Sequence, residues 1–263
     1  MTAPIRELID LDELRELAEL FAGVWRRSGD PPITSDILKA LAHSGNYVSA
    51  AFQEERMIGG LVGWIGGDPR RELHLHSHIL GVLPGLDARG LGFALKQHQR
   101  GWCLERGIGV MEWTTDPLIR RNAYFNLTKL GARAELYLVN FYGQMADGLN
   151  AGEESDRLLV VWRLASPAAP PAAVEPDIPS LIAKGAVTGL EVGAGGEPVA
   201  RKGPAGRVLL CQVPEDIVEV RQADPKLARA WRLALRSALT TAMADGFEIS
   251  AATRAGWYVL TRH

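Results

Sequence analysis

Three histidines recur at alternate positions in the stretch HLHSHILGV, at His74, His76 and His78. In an extended strand, successive side chains point to opposite faces, so this spacing would place all three imidazoles on one face. An imidazole can accept a proton near neutral pH or bind a metal ion. The stretch therefore predicts a metal site, the wall of an active site, or a polar surface.

The spacing of the histidines argues against a shared metal ion. Neighbours on the same face of a strand lie about 7 Å apart, so the backbones of His74 and His78 are roughly 13 Å apart. Zinc–nitrogen bonds are only about 2 Å long. A pair of these histidines would need a further ligand from His43 or His98, and nothing in the sequence marks either one. We therefore predict no metal.

A glycine-rich turn follows this strand in LPGLDARGLGFALK, where Arg89, Gly90, Leu91 and Gly92 lie at the start of a predicted helix. Amides at a helix N-terminus lack intrahelical partners and lie at the positive end of the helix dipole, which suits a pyrophosphate. The sequence contains neither GxGxxG nor GK[ST], so the dinucleotide-binding and P-loop motifs do not fit. Glycine-rich turns also occur for packing reasons alone, and that alternative stays open.

Together with its neighbours, this strand, turn and helix resemble the acetyl-CoA-binding motif of the GNAT superfamily of N-acyltransferases. The family motif Q/R-x-x-G-x-G/A reads here from Asp87 to Gly92, with Asp87 where the family has Gln or Arg. A second family block is similar to NAYFNLTKLGA, with Ala123 and Gly131 in register. The resemblance covers about residues 5–165. With HSHILGV, WTTDPL, NFYG and SDRLLVVW, it extends to a bacterial group of predicted acetyltransferases with a C-terminal extension.

The resemblance implies that acetyl-CoA or another acyl-CoA is the co-substrate. The strand would pair with pantetheine, the turn would hold the pyrophosphate, and the amide of Val82 would stabilise the oxyanion. Helix capping is an equal alternative for Asn122. The implied cofactor-binding residues are Leu80, Gly81, Val82, Arg89, Gly90, Leu91, Gly92, Asn122 and Asn126.

The resemblance also suggests a general base. In histone-acetylating members the base is a Glu six residues before the Val that ends the strand, and the same count from Val82 gives His76. We expect His76 or His78 to line the pocket as the base, with surface or packing histidines as the equally weighted alternative. His74 is expected at the periphery.

The general acid departs from the family pattern. Many members use a Tyr in the second block to protonate the leaving thiolate, and Leu127 stands at that position here. Tyr124 on the same helix is the candidate acid, with solvent as an alternative proton source. A half-buried packing aromatic is an equally good interpretation of Tyr124.

Two charged residues are weaker candidates for substrate binding. Arg157, in SDRLLVVW, could hold a carboxylate in a bidentate fashion, as an amino acid or an acidic acyl group would require. A surface ion pair with Asp156 is the more ordinary alternative. Asp116, in WTTDPL, lies at a strand end where turn chemistry alone could explain it.

The elements that would position these residues follow from periodicity. Asp10 is the predicted N-cap of a helix that runs to about Arg27, and a second helix spans residues 35–42. Three strands, a helix over 90–106, a strand, a helix over 122–130 and two more strands follow. This order predicts an α/β protein with a mixed sheet and helices packed on it.

The segment ASPAAPPAAVEPDIP lacks periodicity and predicts a linker. We assign residues 1–165 to a GNAT acyltransferase domain, 166–179 to an Ala/Pro-rich linker and 180–263 to a smaller C-terminal α/β domain. The last segment contains a strand in GRVLLCQVP, a long helix with Asp224 as N-cap and Pro225 at its first position, and the strand WYVLTR. It could close the pocket, form a homodimer, or be a degenerate copy of the fold.

Composition limits the range of partners. The chain has 263 residues, a formal charge of −2 and 47% hydrophobic residues, which favours neither a nucleic acid nor a membrane partner. No apolar run reaches the length of a membrane span, and the acidic N-terminus differs from a signal peptide, so we predict a cytoplasmic protein. Cys103 and Cys211 are expected to be buried or spare thiols.

The resemblance thus implies an acyl-CoA-dependent N-acyltransferase that moves an acetyl or succinyl group to the amine of a small molecule, with an amino acid as the favoured acceptor. The alternative is a non-catalytic sensor that binds acyl-CoA on the same scaffold. A metal-dependent hydrolase is a third and weaker hypothesis.

Overall fold

A computed structural model of the chain describes residues 3–25, 27, 30–68, 71–85, 90–143, 154–164, 174–201 and 206–262. Its elements, in chain order, are β1 (Ile5–Glu7), α1 (Leu11–Val24), α2 (Ser35–His43), β2 (Tyr47–Gln53), β3 (Arg56–Asp68), β4 (Arg71–Val82), α3 (Leu91–Glu105), β5 (Val110–Thr115), α4 (Arg120–Ala123) with a π-helical continuation (Tyr124–Lys129), β6 (Arg133–Leu138), β7 (Arg157–Arg163), α5 (Ile178–Ala183), β8 (Val187–Val192), β9 (Pro198–Ala200), β10 (Val208–Gln212), α6 (Ile217–Ala223), α7 (Pro225–Ala244), β11 (Glu248–Ala252) and β12 (Trp257–Thr261).

The chain forms two compact units. Unit 1 comprises residues 1–113, 147–149 and 163–166, and unit 2 comprises residues 114–146, 150–162 and 167–263. This division falls within β5 and near the end of β7. The linker predicted at 166–179 remains a prediction, because residues 165–173 lie outside the described part of the chain.

Unit 1 is built on strands in the order β1-β2-β3-β4-β5. The first four are antiparallel neighbours, and β5 runs parallel to β4. The predicted mixed α/β sheet is therefore confirmed, with one short strand, β1, ahead of the predicted order.

The helices α1 and α2 cover one face of this sheet. The carboxylate of Asp10 caps α1 by accepting the amides of Asp12 and Glu13, as predicted, and α1 ends at Val24 rather than Arg27. Leu17 and Phe21 on α1 are fully buried. Gly60 on β3 lets the two elements approach closely, since a Cβ at that position would lie 2.3 Å from a methyl of Leu17.

A β-bulge in β4 changes which face each later side chain occupies. Val62 pairs with Ile79 and Gly63 pairs with Ser77, so His78 is an extra residue in β4. Before the bulge, Ser77 contacts α3 through Gln99. After the bulge, Gly81 lies against α1, where a Cβ would be 2.9 Å from Phe21. An inserted residue reverses the strand's alternation in this way.

Unit 2 contains strands in the order β7-β6-β11-β12-β10-β8-β9. The predicted long helix is α7, which has Asp224 as its N-cap and Pro225 at its first position. The predicted strands at GRVLLCQVP and WYVLTR are β10 and β12. No helix in the described ranges is both long enough and apolar enough to cross a bilayer.

Candidate active site

One edge of β4 offers backbone groups to an extended ligand. Within the described residues, the β4–β5 ladder consists of the pairs Leu75–Met111 and His76–Glu112, whereas β4 continues to Val82. The segment from Ser77 to Val82 therefore has an edge that β5 does not occupy. Such an edge can pair with the amides of an elongated molecule.

The N-terminus of α3 follows this strand. Gly90, the N-cap of α3, has φ +93°, and a Cβ built there would meet nothing within 4 Å. A glycine is favoured in this left-handed conformation, and the space beside it is open. Gly92 lies in the first turn, and a Cβ built there would lie 3.6 Å from a methyl of Leu80. Arg89, predicted to contribute to the same turn, lies outside the described residues.

His76 and His78 lie together against Trp64 on β3. The ring centroids of His76 and His78 are 5.0 and 4.5 Å from that of Trp64 and 5.7 Å from each other. His76 is partly buried and His78 is exposed. Two of the three imidazoles therefore lie side by side in unit 1, and their role as the wall of an active site remains a prediction. Trp64 was not predicted as a site residue. Its signal in the sequence was a large aromatic side chain among the glycines of GGLVGWIGG.

Both imidazoles are suited to accept protons at neutral pH. Desolvation lowers the pKa of His76, with smaller effects from Glu112, which raises it, and from His74 and Lys96, which lower it. Desolvation and the neighbouring His76 also lower the pKa of His78. A pKa below the ordinary value of about 6.5 leaves the ring neutral at pH 7.

His74 is not peripheral, so the expectation for this residue was wrong. Its side chain is buried, and its Nε2 lies 3.1 Å from Oε1 of Glu112 on β5. Its Nδ1 lies 3.0 Å from the backbone oxygen of Glu72. His74 takes this position because β3 covers its side chain and because the neighbouring strand β5 provides a carboxylate. Glu112 was also missed, and its signal was a charge between the apolar residues of VMEW.

A second polar group lies on the face of β4 that contacts α3. The ammonium of Lys96 donates to Oγ of Ser77 over 2.9 Å, and that hydroxyl donates to Oε1 of Gln99 over 2.6 Å. The ammonium also lies 3.6 Å from the ring centroid of Trp113. Complete burial lowers the pKa of Lys96 to about 7.

The second family block lies in unit 2. Asn122 is exposed, and it is not a cap, because α4 begins at Arg120 with Ile119 as its N-cap. Tyr124 is partly buried, with the guanidinium of Arg254 4.3 Å from its ring centroid. Asn126 and Leu127 are buried in the π-helical segment. The catalytic and cofactor-binding roles of these residues remain predictions.

Asp116 lies in a buried ionic cluster of unit 2. Its oxygens accept from Nη1 of Arg232 at 2.7 Å and Nη2 of Arg221 at 2.6 Å. A further bond comes from the amide of Leu118. Burial alone would raise the pKa of Asp116, but the arginines outweigh it and hold the pKa well below its usual range. Turn chemistry is therefore only part of the role of Asp116.

Arg157 is buried in the same unit and does not form the surface ion pair considered above. Its Nη1 donates to the backbone oxygen of Asp156, and its guanidinium lies 5.3 Å from the ring centroid of Tyr142. The carboxylate of Asp156 instead binds Arg236 and Tyr137. Substrate binding by Arg157 stays a prediction.

Metal ligands and thiols give no further candidate among the described residues. In those ranges, no group of three or more His, Cys, Asp or Glu side chains could hold a metal ion. Cys103 and Cys211 are free and buried, as predicted.

Residues 11–131 match the model of the acetyltransferase (GNAT) family. The fold is similar to that of yncA from Salmonella typhimurium, a proposed acetyltransferase solved with acetyl-CoA, with 17% identity over 65% of this chain and 99% of that one, at a TM-score of 0.50. Naa50 from Arabidopsis thaliana, bound to a bisubstrate analogue, has 15% identity over 62% and 99% of the two chains, at a TM-score of 0.48. An aminoglycoside acetyltransferase from an uncultured soil sample, solved with trehalose, has 23% identity over 55% and 97%, at a TM-score of 0.47. No curated protein matches the chain significantly.

Proposed function

Because residues 11–131 match the model of the acetyltransferase (GNAT) family, we propose that the chain transfers an acetyl or succinyl group from acyl-CoA to the amine of a small molecule. The main observation in support of this proposal is the order of structural features along β4 and α3. A strand edge left open by β5 leads to a left-handed glycine and then to a helix N-terminus. The same strand presents the neutral imidazoles of His76 and His78.

The residues of this region fit an acyl-CoA. The open edge at Leu80, Gly81 and Val82 would pair with the pantetheine amides, and the first amides of α3 would hold the pyrophosphate. The open space beside Gly90 leaves room for the phosphates. When bound, the acyl-CoA supplies the activated thioester.

His76 or His78 would serve as the general base. The imidazole takes one proton from the substrate ammonium, which frees the nitrogen lone pair to bond to the thioester carbonyl carbon. The amide of Val82 stabilises the negative charge on the carbonyl oxygen. The C–S bond breaks, the nitrogen loses a second proton to solvent, and the thiolate gains one from solvent. The imidazolium returns its proton to solvent.

The proposed acceptor is a free amino acid or a similar small amine. The chain carries a formal charge of −2, which gives no electrostatic reason to favour a polyanionic partner. Holding the amine and the thioester side by side would supply much of the rate enhancement.

A sensor that binds acyl-CoA without turnover is the second candidate. The observation in its favour is Leu127, which is buried and stands at the family's general-acid position. A hydrocarbon side chain cannot protonate a thiolate, so this position contributes nothing to catalysis.

Thiol release from acetyl-CoA and succinyl-CoA, measured across a panel of amino acids and polyamines, tests the proposal. Gly92→Asp would place a carboxylate at the phosphate site, whereas Gly92→Ala adds only a methyl in ordinary contact with Leu80. We expect amine-dependent release that Gly92→Asp abolishes and Gly92→Ala retains. Binding of acyl-CoA without release under any amine would favour the sensor, and no binding would reject both.

A further inference from the structure

The carboxylate of Glu112 lies beside two of the three histidines. Glu112 on β5 is the strand partner of His76 on β4, and paired residues on neighbouring strands project from the same face of a sheet. The same carboxylate lies 3.1 Å from Nε2 of His74, two residues earlier on β4. Glu112 therefore lies next to both imidazoles on one face.

This carboxylate is held rigidly. Glu112 and His74 are 7% and 6% exposed, respectively, so neither side chain moves freely in solvent. The other ring nitrogen of His74 is fixed by the backbone oxygen of Glu72. Histidines whose second nitrogen is fixed in this way keep their ring orientation, and the fixed ring in turn holds the carboxylate.

We propose that Glu112 is a positioning residue for His76, anchored by His74, and that it makes His76 rather than His78 the general base. This inference rests on the proposed function. When His76 takes a proton from the substrate ammonium, a positive charge appears at a partly buried site. The fixed carboxylate of Glu112 stabilises that charge at the moment it forms.

The groups around His76 explain the asymmetry between the two histidines. Among the described residues, the other titratable groups near His76 are His74 and His78 on β4 and Lys96 on α3, and the indole of Trp64 on β3 packs against it without charge. Glu112 is the neighbour that raises the pKa of His76. The electrostatic neighbour of His78 is His76, which lowers the pKa of His78.

The test combines a direct titration with a pH profile. The protein is labelled at its histidines, and the pKa of His76 is measured by NMR titration in the wild type, in Glu112→Gln and in Glu55→Gln. Glu55→Gln is the control, because it removes an exposed carboxylate from the β2–β3 turn. We expect Glu112→Gln to lower the pKa of His76 by roughly 0.5 to 1 unit. The acidic limb of kcat/KM should move to lower pH by the same amount, and kcat should fall about tenfold or more. KM for acetyl-CoA should be the same in Glu112→Gln as in the wild type. The control Glu55→Gln should match the wild type in the pKa of His76, in kcat and in the pH profile.

A second pair of variants identifies the base. His76→Asn should abolish the acidic limb, whereas His78→Asn should retain it. Two results would overturn this inference while the acyltransferase function stands. One is loss of the acidic limb of kcat/KM in His78→Asn, and the other is a pH profile of Glu112→Gln that equals that of Glu55→Gln. A wild type that binds acetyl-CoA yet acylates no amine would reject the proposed function, and the base assignment with it. Equal melting temperatures and acetyl-CoA affinities exclude misfolding as the cause of any loss.

Discussion

Lys96 is a lysine inside the core of unit 1, with only 4% of its surface exposed. Its contacts within the described part of the chain are a hydroxyl and an indole, rather than a carboxylate. Burying an ammonium in such surroundings costs free energy, and burial accordingly lowers the pKa of Lys96 to about 7. In the unfolded chain the pKa is about 10.4.

This difference gives the first prediction. Between pH 7 and about 10.4 the unfolded state binds more protons than the folded state, so the contribution of Lys96 makes the free energy of unfolding rise with pH. We expect Lys96→Met to raise the free energy of unfolding at pH 7 by about 2 kcal/mol and to flatten its rise between pH 7 and 8.5. Urea denaturation at several pH values measures both. Lys226→Met, at an exposed lysine, should leave the slope unchanged; an unchanged slope in Lys96→Met would show that the ammonium is solvated.

The second prediction concerns Asp116, whose carboxylate bonds two buried arginines, Arg221 and Arg232. Removing one partner of a buried ion pair typically costs about 3–5 kcal/mol, so Asp116→Asn should destabilise the protein by an amount of this order. The pKa of Asp116 is lowered on folding, so this stabilisation is present above about pH 4 and is lost as the pH falls through the folded value. Denaturation at pH 7 measures the loss of stability. The control is Asp12→Asn, which removes one partner of the exposed ion pair between Asp12 and Arg15. A stable Asp116→Asn with a raised KM would instead support substrate binding.

At the scale of elements, the π-helical segment is joined to β11 by one hydroxyl. Oγ of Thr128 donates to the backbone oxygen of Ala252 at 2.5 Å and accepts the amide of the same residue at 3.1 Å. Thr128 is buried, so water cannot replace these bonds. Buried backbone groups that lose their partners carry the full cost of desolvation.

The third prediction follows from this contact. Thr128→Val keeps the shape of the side chain but removes both hydrogen bonds, and it should lower the free energy of unfolding by about 2–3 kcal/mol. Thr128→Ser keeps the hydroxyl and should recover most of that loss. Thermal and urea denaturation of the two variants provide the comparison. A Thr128→Ser variant that is less stable than Thr128→Val would mean that the methyl group, rather than the hydroxyl, matters here.

Most elements around the candidate site could be predicted from the sequence, because periodicity and caps are local signals. Asp10 and Asp224 both cap the helices that they were expected to begin. The bulge at His78 could not be predicted, since it depends on how β4 pairs with β3. The partnership of His74 with Glu112 was missed for a similar reason: it joins neighbouring strands through the parallel β4–β5 ladder. The short strands β1 and β9 carry too few residues to show an alternating pattern.

At the scale of the whole molecule, residues 114–146 and 150–162 of the predicted first domain belong to unit 2. Contacts within that unit join residues far apart in sequence, as in the bonds of Asp116 with Arg221 and Arg232 and of Thr128 with Ala252. Sequence reasoning placed a boundary at the Ala/Pro-rich segment because its composition is that of a linker. Composition gives no information on which distant strands pair.

This organisation gives the fourth prediction. A fragment of residues 1–165 lacks α7, β11 and β12, and it should fail to unfold cooperatively, because it removes the partners of Asp116 and Thr128. Circular dichroism melts and limited proteolysis of the fragment, compared with the full chain, measure this. A fragment that melts cooperatively near the temperature of the full chain would establish residues 1–165 as an independent domain.

Detection of the acylated product is the most direct test of the proposed function. Full-length protein is incubated with acetyl-CoA or succinyl-CoA labelled with 13C in the acyl group and with each amine of the panel, and mass spectrometry follows the label. We expect the label to appear in an amide of one amine class, in amounts matching the free CoA released, and we expect Gly92→Asp to prevent this. Acyl-CoA that binds and remains intact with every amine would instead identify the protein as a sensor.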